Sequence, residues 1–117
     1  MNIKQFSATT GLSSYTLRYY EKIGLLLGIK RNASGHRFYS ESDVAWVEFL
    51  KKLKETGMSL SEIKSFAKLR NKGDLDFRGR LKILEKHQKK LQSDFAVLQD
   101  FLEKIRYKIK YYKSRKK

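Results

Sequence analysis

The sequence predicts a mainly α-helical fold in which short helices and one small β-hairpin precede a single long C-terminal helix. Glycines and capping residues divide the first part of the chain into short segments, whereas apolar residues recur at heptad spacing from Phe77 to Tyr112. Hydrophobic residues form 40% of the 117-residue chain, enough for a packed core although 33% of residues are charged. We therefore expect a domain of residues 1–73, a helix of residues 74–113 and a basic tail of residues 114–117.

Two short helices are predicted at the N-terminus. Asn2 and Gln5 have the spacing of a capping pair, and Gly11 can end the helix that they begin. Ser13 can cap a second helix that stops at Gly24. Two short helices joined by a tight glycine-containing turn form a helix-turn-helix.

A β-hairpin and a third helix are predicted next. Two short strand-like segments, 29–32 and 36–39, flank a turn that contains glycine, which is typical of a hairpin. Ser40 and Asp43 resemble a capping box that opens a helix over roughly residues 41–56.

A fourth helix follows after a short connection. Ser59 and Glu62 repeat the capping-box spacing, and the apolar pattern ends near residue 73. Trp46 and Phe49 of the third helix are compatible with a small-molecule pocket, but aromatic residues beside aliphatic ones are more often core, which we favour.

The C-terminal helix is predicted to pair with a second copy of the chain. Its seam positions are Leu81, Leu84, Gln88, Leu91, Phe95, Leu98, Leu102, Ile105 and Ile109. At 1.5 Å per residue the helix is roughly 50 Å long, too long to fold back along its whole length onto so small a domain. A lone helix packed on its own domain is the alternative. Gln88 is the one polar member, and it either fixes the register or lies near an exposed end of the coil.

The charge points to a polyanionic partner. Lysine and arginine number 27 against 12 acidic residues, giving a net charge of +15 and a pI of about 10.1. Nucleic acid is the leading candidate partner. An anionic membrane surface is the alternative, and we do not adopt it.

The sequence offers no clear site for a metal or for catalysis. Without cysteine and with only two histidines, we expect no metal and no cofactor. No nucleophile and base set is visible, so we expect no enzyme. The N-terminus lacks a signal peptide and no apolar run is long enough to span a membrane, so we expect a cytoplasmic protein.

Several short motifs resemble those of the MerR family of transcriptional regulators. They are LRYYEKIGL at residues 17–25, RN at residues 31–32, GHRFY at residues 35–39 and LKETGM at residues 53–58. Each string alone is weak, but their order and spacing ahead of a long coiled coil are specific. The resemblance covers the whole chain.

The resemblance implies a winged helix-turn-helix that binds double-stranded promoter DNA as an antiparallel coiled-coil homodimer. Its second helix would enter the major groove, and the hairpin and the loop between helices three and four would be two wings. Family members bind a pseudo-palindrome in an over-long promoter spacer and bend and untwist it for RNA polymerase. The resemblance therefore implies a bacterial, nucleoid-associated protein. The chain looks most similar to the branch that responds to aldehyde or nitrosative stress. That branch usually carries a cysteine near helix three, where this chain has Lys51 and Lys52, which we expect to be solvated charge.

Arg18 is the leading candidate for reading DNA, because the resemblance places it on the groove-facing side of the second helix. A guanidinium there can bond guanine edges or a phosphate. The alternative is a surface ion pair with Glu21 or Glu41. On the same helix we expect Leu17 and Tyr20 to face the core.

The hairpin is predicted to position phosphates. Arg31 and Arg37 flank its turn, and the alternative for both is cross-strand charge on a solvated hairpin. His36 could equally satisfy the turn. By resemblance, Lys54 belongs to the second wing. The full set of predicted DNA contacts is Ser13, Tyr15, Thr16, Arg18, Tyr19, Lys22, Arg31, His36, Arg37, Tyr39 and Lys54.

The alternative function is an architectural protein that binds DNA without sequence preference. The net charge and the lysine-rich, tyrosine-rich end of the last helix favour it. Such an end could bind DNA or acidic lipid, although solvated charge is its ordinary role. The recognition-helix motif argues against this alternative.

Overall fold

The computed structural model describes residues 1–72 and 77–115. Its elements, in chain order, are α1 (Ile3–Thr10), α2 (Ser14–Lys22), β1 (Lys30–Arg31), β2 (Arg37–Phe38), α3 (Glu41–Glu55), α4 (Leu60–Arg70) and α5 (Phe77–Ser114). The predicted mainly α fold with a small hairpin and a long C-terminal helix is confirmed. The predicted boundary between residues 73 and 74, and the last two lysines of the predicted tail, lie outside the described residues.

The helices begin where the capping residues predict. At the start of α1, the Gln5 backbone N–H donates to Asn2 Oδ1 at 2.8 Å and the Asn2 N–H donates to Gln5 Oε1 at 2.9 Å. Ser40 and Asp43 form the same reciprocal pair at α3. Gly11 ends α1 with a φ of 74°, a left-handed conformation that favours glycine.

The strands are shorter than predicted, with two residues each. Lys30 pairs with Phe38 and Arg31 pairs with Arg37 in antiparallel register. The next residue, Tyr39, leaves the hairpin and bonds to the N-terminus instead. Its N–H donates to the Met1 carbonyl at 2.7 Å, and the Met1 amino group donates to its carbonyl at 2.8 Å.

The core lies between α1, α2, α3 and α4. The Phe6 ring of α1 stacks on Tyr39 with centroids 4.2 Å apart and an interplanar angle of 6°. Leu17 and Tyr20 are buried beneath the outer face of α2, as the sequence predicts.

Lys51 of α3 donates from Nζ to the Thr10 carbonyl at 2.6 Å and pairs with Glu48. The expectation that Lys51 is plain solvated charge is therefore wrong, because it satisfies a carbonyl at the end of α1. Lys52 is exposed.

An aromatic cluster joins α3 to α4. Trp46 is buried and its Nε1 donates to the Leu25 carbonyl at 2.7 Å, which confirms it as a core residue. Phe49 stacks on Trp46 but keeps 38% of its surface exposed, so it lies at the edge of the core. The Arg70 guanidinium lies 4.0 Å from the Trp46 ring centroid, and burial lowers the pKa of Arg70 from its ordinary value.

The chain forms two compact units, Met1–Leu81, called the head below, and Lys82–Lys117. The second unit consists of the remainder of α5 and the chain end. From Gln88 to Arg115 every side chain is exposed. No helix among the described residues is both long and apolar enough to cross a membrane.

Candidate nucleic-acid interface

One face of α2 is open to solvent. Its exposed side chains are Tyr15, Arg18, Tyr19 and Lys22. Positions three, four and seven residues apart share a helix face, so these four side chains form one continuous surface. All four are of residue types that bind bases or phosphates, as arginine, lysine or a phenol hydroxyl.

The start of α2 carries two predicted contacts whose hydroxyls are already engaged. Ser13 Oγ accepts from the Thr16 backbone N–H at 3.1 Å and donates to Thr16 Oγ1 at 2.9 Å. Both residues therefore fix where the helix begins. They lie at the positive end of the helix dipole, where an anion is favoured.

The N–H groups of the Arg18 guanidinium are not engaged by the described residues of the protein. The side chain is exposed and makes no ion pair or hydrogen bond with any residue of 1–72 or 77–115. The alternative ion pair with Glu21 does not form, because Glu21 accepts from Arg37 Nε at 2.8 Å. Arg18 thus presents a planar guanidinium with five unengaged N–H groups, the geometry suited to guanine or phosphate.

Asn32 holds the tip of the hairpin. Its Oδ1 accepts from the backbone N–H groups of Ser34 and His36, both at 3.0 Å. Gly35 follows with a φ of 81°, which completes a three-residue turn ending in a left-handed residue. Arg31 donates from its guanidinium to the Gly35 carbonyl at 2.8 Å, so its charge is held beside the turn. Asn32 is not among the predicted DNA contacts, although this backbone-bonding role is common for asparagine in turns.

A cationic groove of about 460 Å³ lies between α2, the start of α1 and the hairpin. The residues that line it are Asn2, Ile3, Arg18, Arg31, Asn32, Gly35, His36, Arg37 and Phe38. The fold thus brings together four of the predicted DNA contacts, three arginines and one histidine, around one concavity with no acidic residue among its lining. Such a groove attracts a phosphate backbone.

The two arginines of the hairpin face each other across the strands. Arg31 and Arg37 are direct partners in the register, and like charges in that position repel. Glu21 offsets part of this repulsion through its ion pair with Arg37. Arg37 is therefore partly neutralised in the free protein, whereas Arg31 bonds, among the residues that the structure describes, only to a backbone carbonyl.

The structure contradicts one of the predicted DNA contacts, Tyr39. Its side chain is 1% exposed and stacks in the core, so the phosphate contact predicted for it is wrong. The sequence places Tyr39 beside the glycine-containing turn of the hairpin, but in the structure its backbone bonds to Met1 and its side chain packs in the core. Burial and the nearby Glu21 carboxylate raise the pKa of Tyr39 above its ordinary value.

Lys54 lies apart from the cationic groove. It is exposed near the end of α3 and lines a second, smaller cavity together with Tyr19. That cavity connects the outer face of α2 to the turn between α3 and α4, which is the segment predicted as the second wing. Among residues 1–72 and 77–115, no three histidine, cysteine, aspartate or glutamate side chains are grouped so that they could hold a metal ion.

The apolar seam of α5 is exposed along the second unit. Phe95 is 61% exposed and Leu98 is 58% exposed, and the other seam residues beyond Gln88 are also exposed. Leu84 is half-buried, and Gln88 is exposed. A row of large apolar side chains of this kind is unfavourable in water unless another surface covers it.

Two family models match the chain and together span most of it. The model described as MerR HTH family regulatory protein matches residues 1–69, and the model described as MerR, DNA binding matches residues 44–107. The chain belongs to the MerR family. The prediction made from the sequence motifs is confirmed, and the chain is a DNA-binding transcriptional regulator of that family.

Relatives and solved structures agree with this assignment. The HTH-type transcriptional regulator YyaN of Bacillus subtilis is 41% identical over 97% of this chain and 91% of its own length. The crystal structure of a putative MerR family regulator from Listeria monocytogenes has a TM-score of 0.80 and 33% identity, covering 96% of this chain and 85% of that one. The structure of HiNmlR, a MerR family regulator lacking the sensor domain and bound to promoter DNA, has a TM-score of 0.75 and 35% identity. The match covers 97% of this chain and 90% of that one.

Proposed function

We propose that this MerR family chain regulates transcription as a homodimer that binds a pseudo-palindromic promoter and bends and untwists its spacer. The cationic groove beside the open face of α2 is the observation that carries the DNA-binding mode. Arg18 has unengaged donors there, and Arg31 and His36 line the same concavity. A helix face flanked by a hairpin of this kind suits base reading by α2 and phosphate positioning by the wing.

The seam of α5 supports the homodimer. Its heptad spacing continues over five heptads and its large side chains are exposed in the single chain. Within the described part of the second unit, residues 82–115, no other helix is present to cover that stripe. A second copy of α5 offers a surface of equal length and matching period, and two copies joined by a twofold axis would present two heads to an inverted repeat.

The mode of action follows from the family. Distortion of the spacer, with RNA polymerase as the indirect partner, is the activating mechanism that the family implies. The relatives are regulators, and we extend this to propose that the chain has no enzymatic activity of its own. Since its target is chromosomal DNA, we place its action in the bacterial cytoplasm.

Selection of bound genomic fragments tests this proposal. Purified protein would be mixed with sheared genomic DNA at about 150 mM salt, where non-specific electrostatic binding is already weakened. We expect enrichment of one inverted repeat inside a long promoter spacer, with half-sites separated by whole helical turns. Uniform recovery of fragments would contradict the proposal and favour an architectural protein.

Sedimentation of the same sample tests the homodimer separately. The 13.8 kDa chain should sediment at twice its mass. A monomer that still selects the repeat would overturn the role given to α5.

A further inference from the structure

A cavity of about 150 Å³ lies within the head, apart from the cationic groove. It connects α2 to the turn between α3 and α4. Three of its lining side chains, Tyr19, Lys54 and Leu60, are exposed and therefore form its mouth. Tyr19 and Lys54 are both residues that we propose as DNA contacts, so an occupant of this cavity would lie against the DNA-binding surface.

The interior of the cavity is apolar. Its deeper lining includes Leu25, Leu50, Met58 and Ile63, each at most 4% exposed. A cavity of about this volume is large enough for one benzene-sized ring, and its mainly apolar interior favours such an occupant. Methionine adds a polarisable sulfur that makes favourable contacts with aromatic rings.

The residues at the mouth of the cavity favour a negatively charged occupant. Lys54 is the only charged residue in the lining, and its ammonium group donates hydrogen bonds but accepts none. The Tyr19 hydroxyl is a second possible donor. A net charge of +15 on the chain raises the local concentration of small anions. The matching group on an occupant is therefore a carboxylate.

We propose that this cavity binds a small aromatic carboxylate, with its ring among the buried side chains and its carboxylate beside Lys54. Such a ligand occupies the position where a DNA phosphate would approach Lys54, so it weakens DNA binding. The binding itself is independent of the proposed function, whereas the competition with DNA rests on it.

Methyl NMR on the full-length protein tests the binding, with benzoate as the probe. Met1 and Met58 are the only methionines, so ¹³C-methyl-methionine labelling gives two signals. Met58 lines the cavity and Met1 does not. Titration with benzoate should move the Met58 signal saturably at millimolar concentration, because ring currents reach it, and leave the Met1 signal in place.

Two ligand controls separate the ring from the charge. Acetate has no ring and should leave Met58 unmoved. Benzamide has the ring without the charge and should bind more weakly than benzoate, by up to about fivefold, the upper range for one exposed ion pair. Lys54→Gln should remove this difference. Equal affinity for benzamide and benzoate in the unsubstituted protein would overturn the carboxylate assignment.

Two substitutions test the location. Ile63→Phe fills the interior and Leu60→Trp narrows the mouth, so each should abolish the benzoate response. Leu27→Trp is the matched control, since Leu27 is an exposed leucine outside the cavity lining. If Met58 stays unmoved in the unsubstituted protein, or if both blocking variants keep the full response, the site does not exist as described.

DNA titrations then test the competition. Benzoate should lower affinity for a selected promoter fragment by at least threefold more than the same concentration of acetate, which controls for ionic strength. This extra loss should disappear in Lys54→Gln. A Met58 response without any competition would overturn the regulatory half of the inference. Failure to select a promoter fragment at all would contradict the proposed function and leave the ligand site standing on the NMR result.

Discussion

Removing the Tyr39 hydroxyl should stabilise the protein. The Tyr39 ring is buried and stacks on Phe6, and Tyr39→Phe keeps that contact. The hydroxyl oxygen is also buried and forms no hydrogen bond with any residue of 1–72 or 77–115. A buried polar group without a partner costs about 1–3 kcal/mol. We expect the lower end, an increase of about 1 kcal/mol in the free energy of unfolding, because the charges of Arg37 and Glu21 lie near enough to polarise the hydroxyl.

Urea unfolding followed by circular dichroism measures this change. All variants should be compared at one protein concentration, because the stability of a dimer depends on it. Tyr15→Phe is the matched control, since the Tyr15 side chain is 81% exposed and its substitution should change stability by less than about 0.5 kcal/mol. Tyr39→Ala, which also loses the ring, should cost about 3–5 kcal/mol. If Tyr39→Phe lowers stability by about 1 kcal/mol or weakens DNA binding, the hydroxyl has a partner and the reasoning is refuted.

The difference in stability between the unsubstituted protein and Tyr39→Phe should increase at alkaline pH. Burial raises the pKa of Tyr39 above its ordinary 10.0, so the folded state favours the neutral phenol. The contribution of the neutral Tyr39 phenol to the free energy of unfolding is fully present below the pKa of tyrosine in the unfolded state. It is lost as the pH rises through the pKa of Tyr39 in the folded state. The stability of the unsubstituted protein should therefore fall further behind that of Tyr39→Phe above about pH 10, measured by the same urea titrations.

Three other substitutions test the interface, the seam and the core. Arg18→Ala should cost about 1–3 kcal/mol at a selected promoter and little on random DNA, measured by fluorescence anisotropy; equal losses on both would remove its base-reading role. Leu98→Glu should shift sedimentation toward the monomer, because it puts like charges into the seam, whereas Tyr107→Glu, outside the heptad seam, should leave the dimer intact. Lys51→Met should lower the free energy of unfolding by about 1 kcal/mol through loss of its bond to the end of α1, with Lys52→Met within about 0.5 kcal/mol of no change. A stable Lys51 variant would show that this bond contributes nothing.

The local structure could be predicted because its causes are local. The capping pairs at Asn2 and Ser40 join residues three positions apart, and Gly11 and Gly35 supply left-handed conformations where the chain turns. The long helix was evident from the period of its apolar residues alone. The open face of α2 followed from helical spacing, which separates exposed Arg18 from buried Leu17 and Tyr20, one and two positions away.

The tertiary structure decided what depends on residues far apart in the sequence. Tyr39 is buried because it bonds to a residue 38 positions earlier, and Lys51 is structural because the end of α1 lies beside it, 41 positions away. Glu21 pairs with Arg37 rather than with Arg18, and this choice leaves Arg18 open to DNA. Sequence spacing therefore determined which helix faces are apolar or charged, whereas the packing of distant segments determined which of those charges remain available to a ligand, because only the folded chain sets the distances between them.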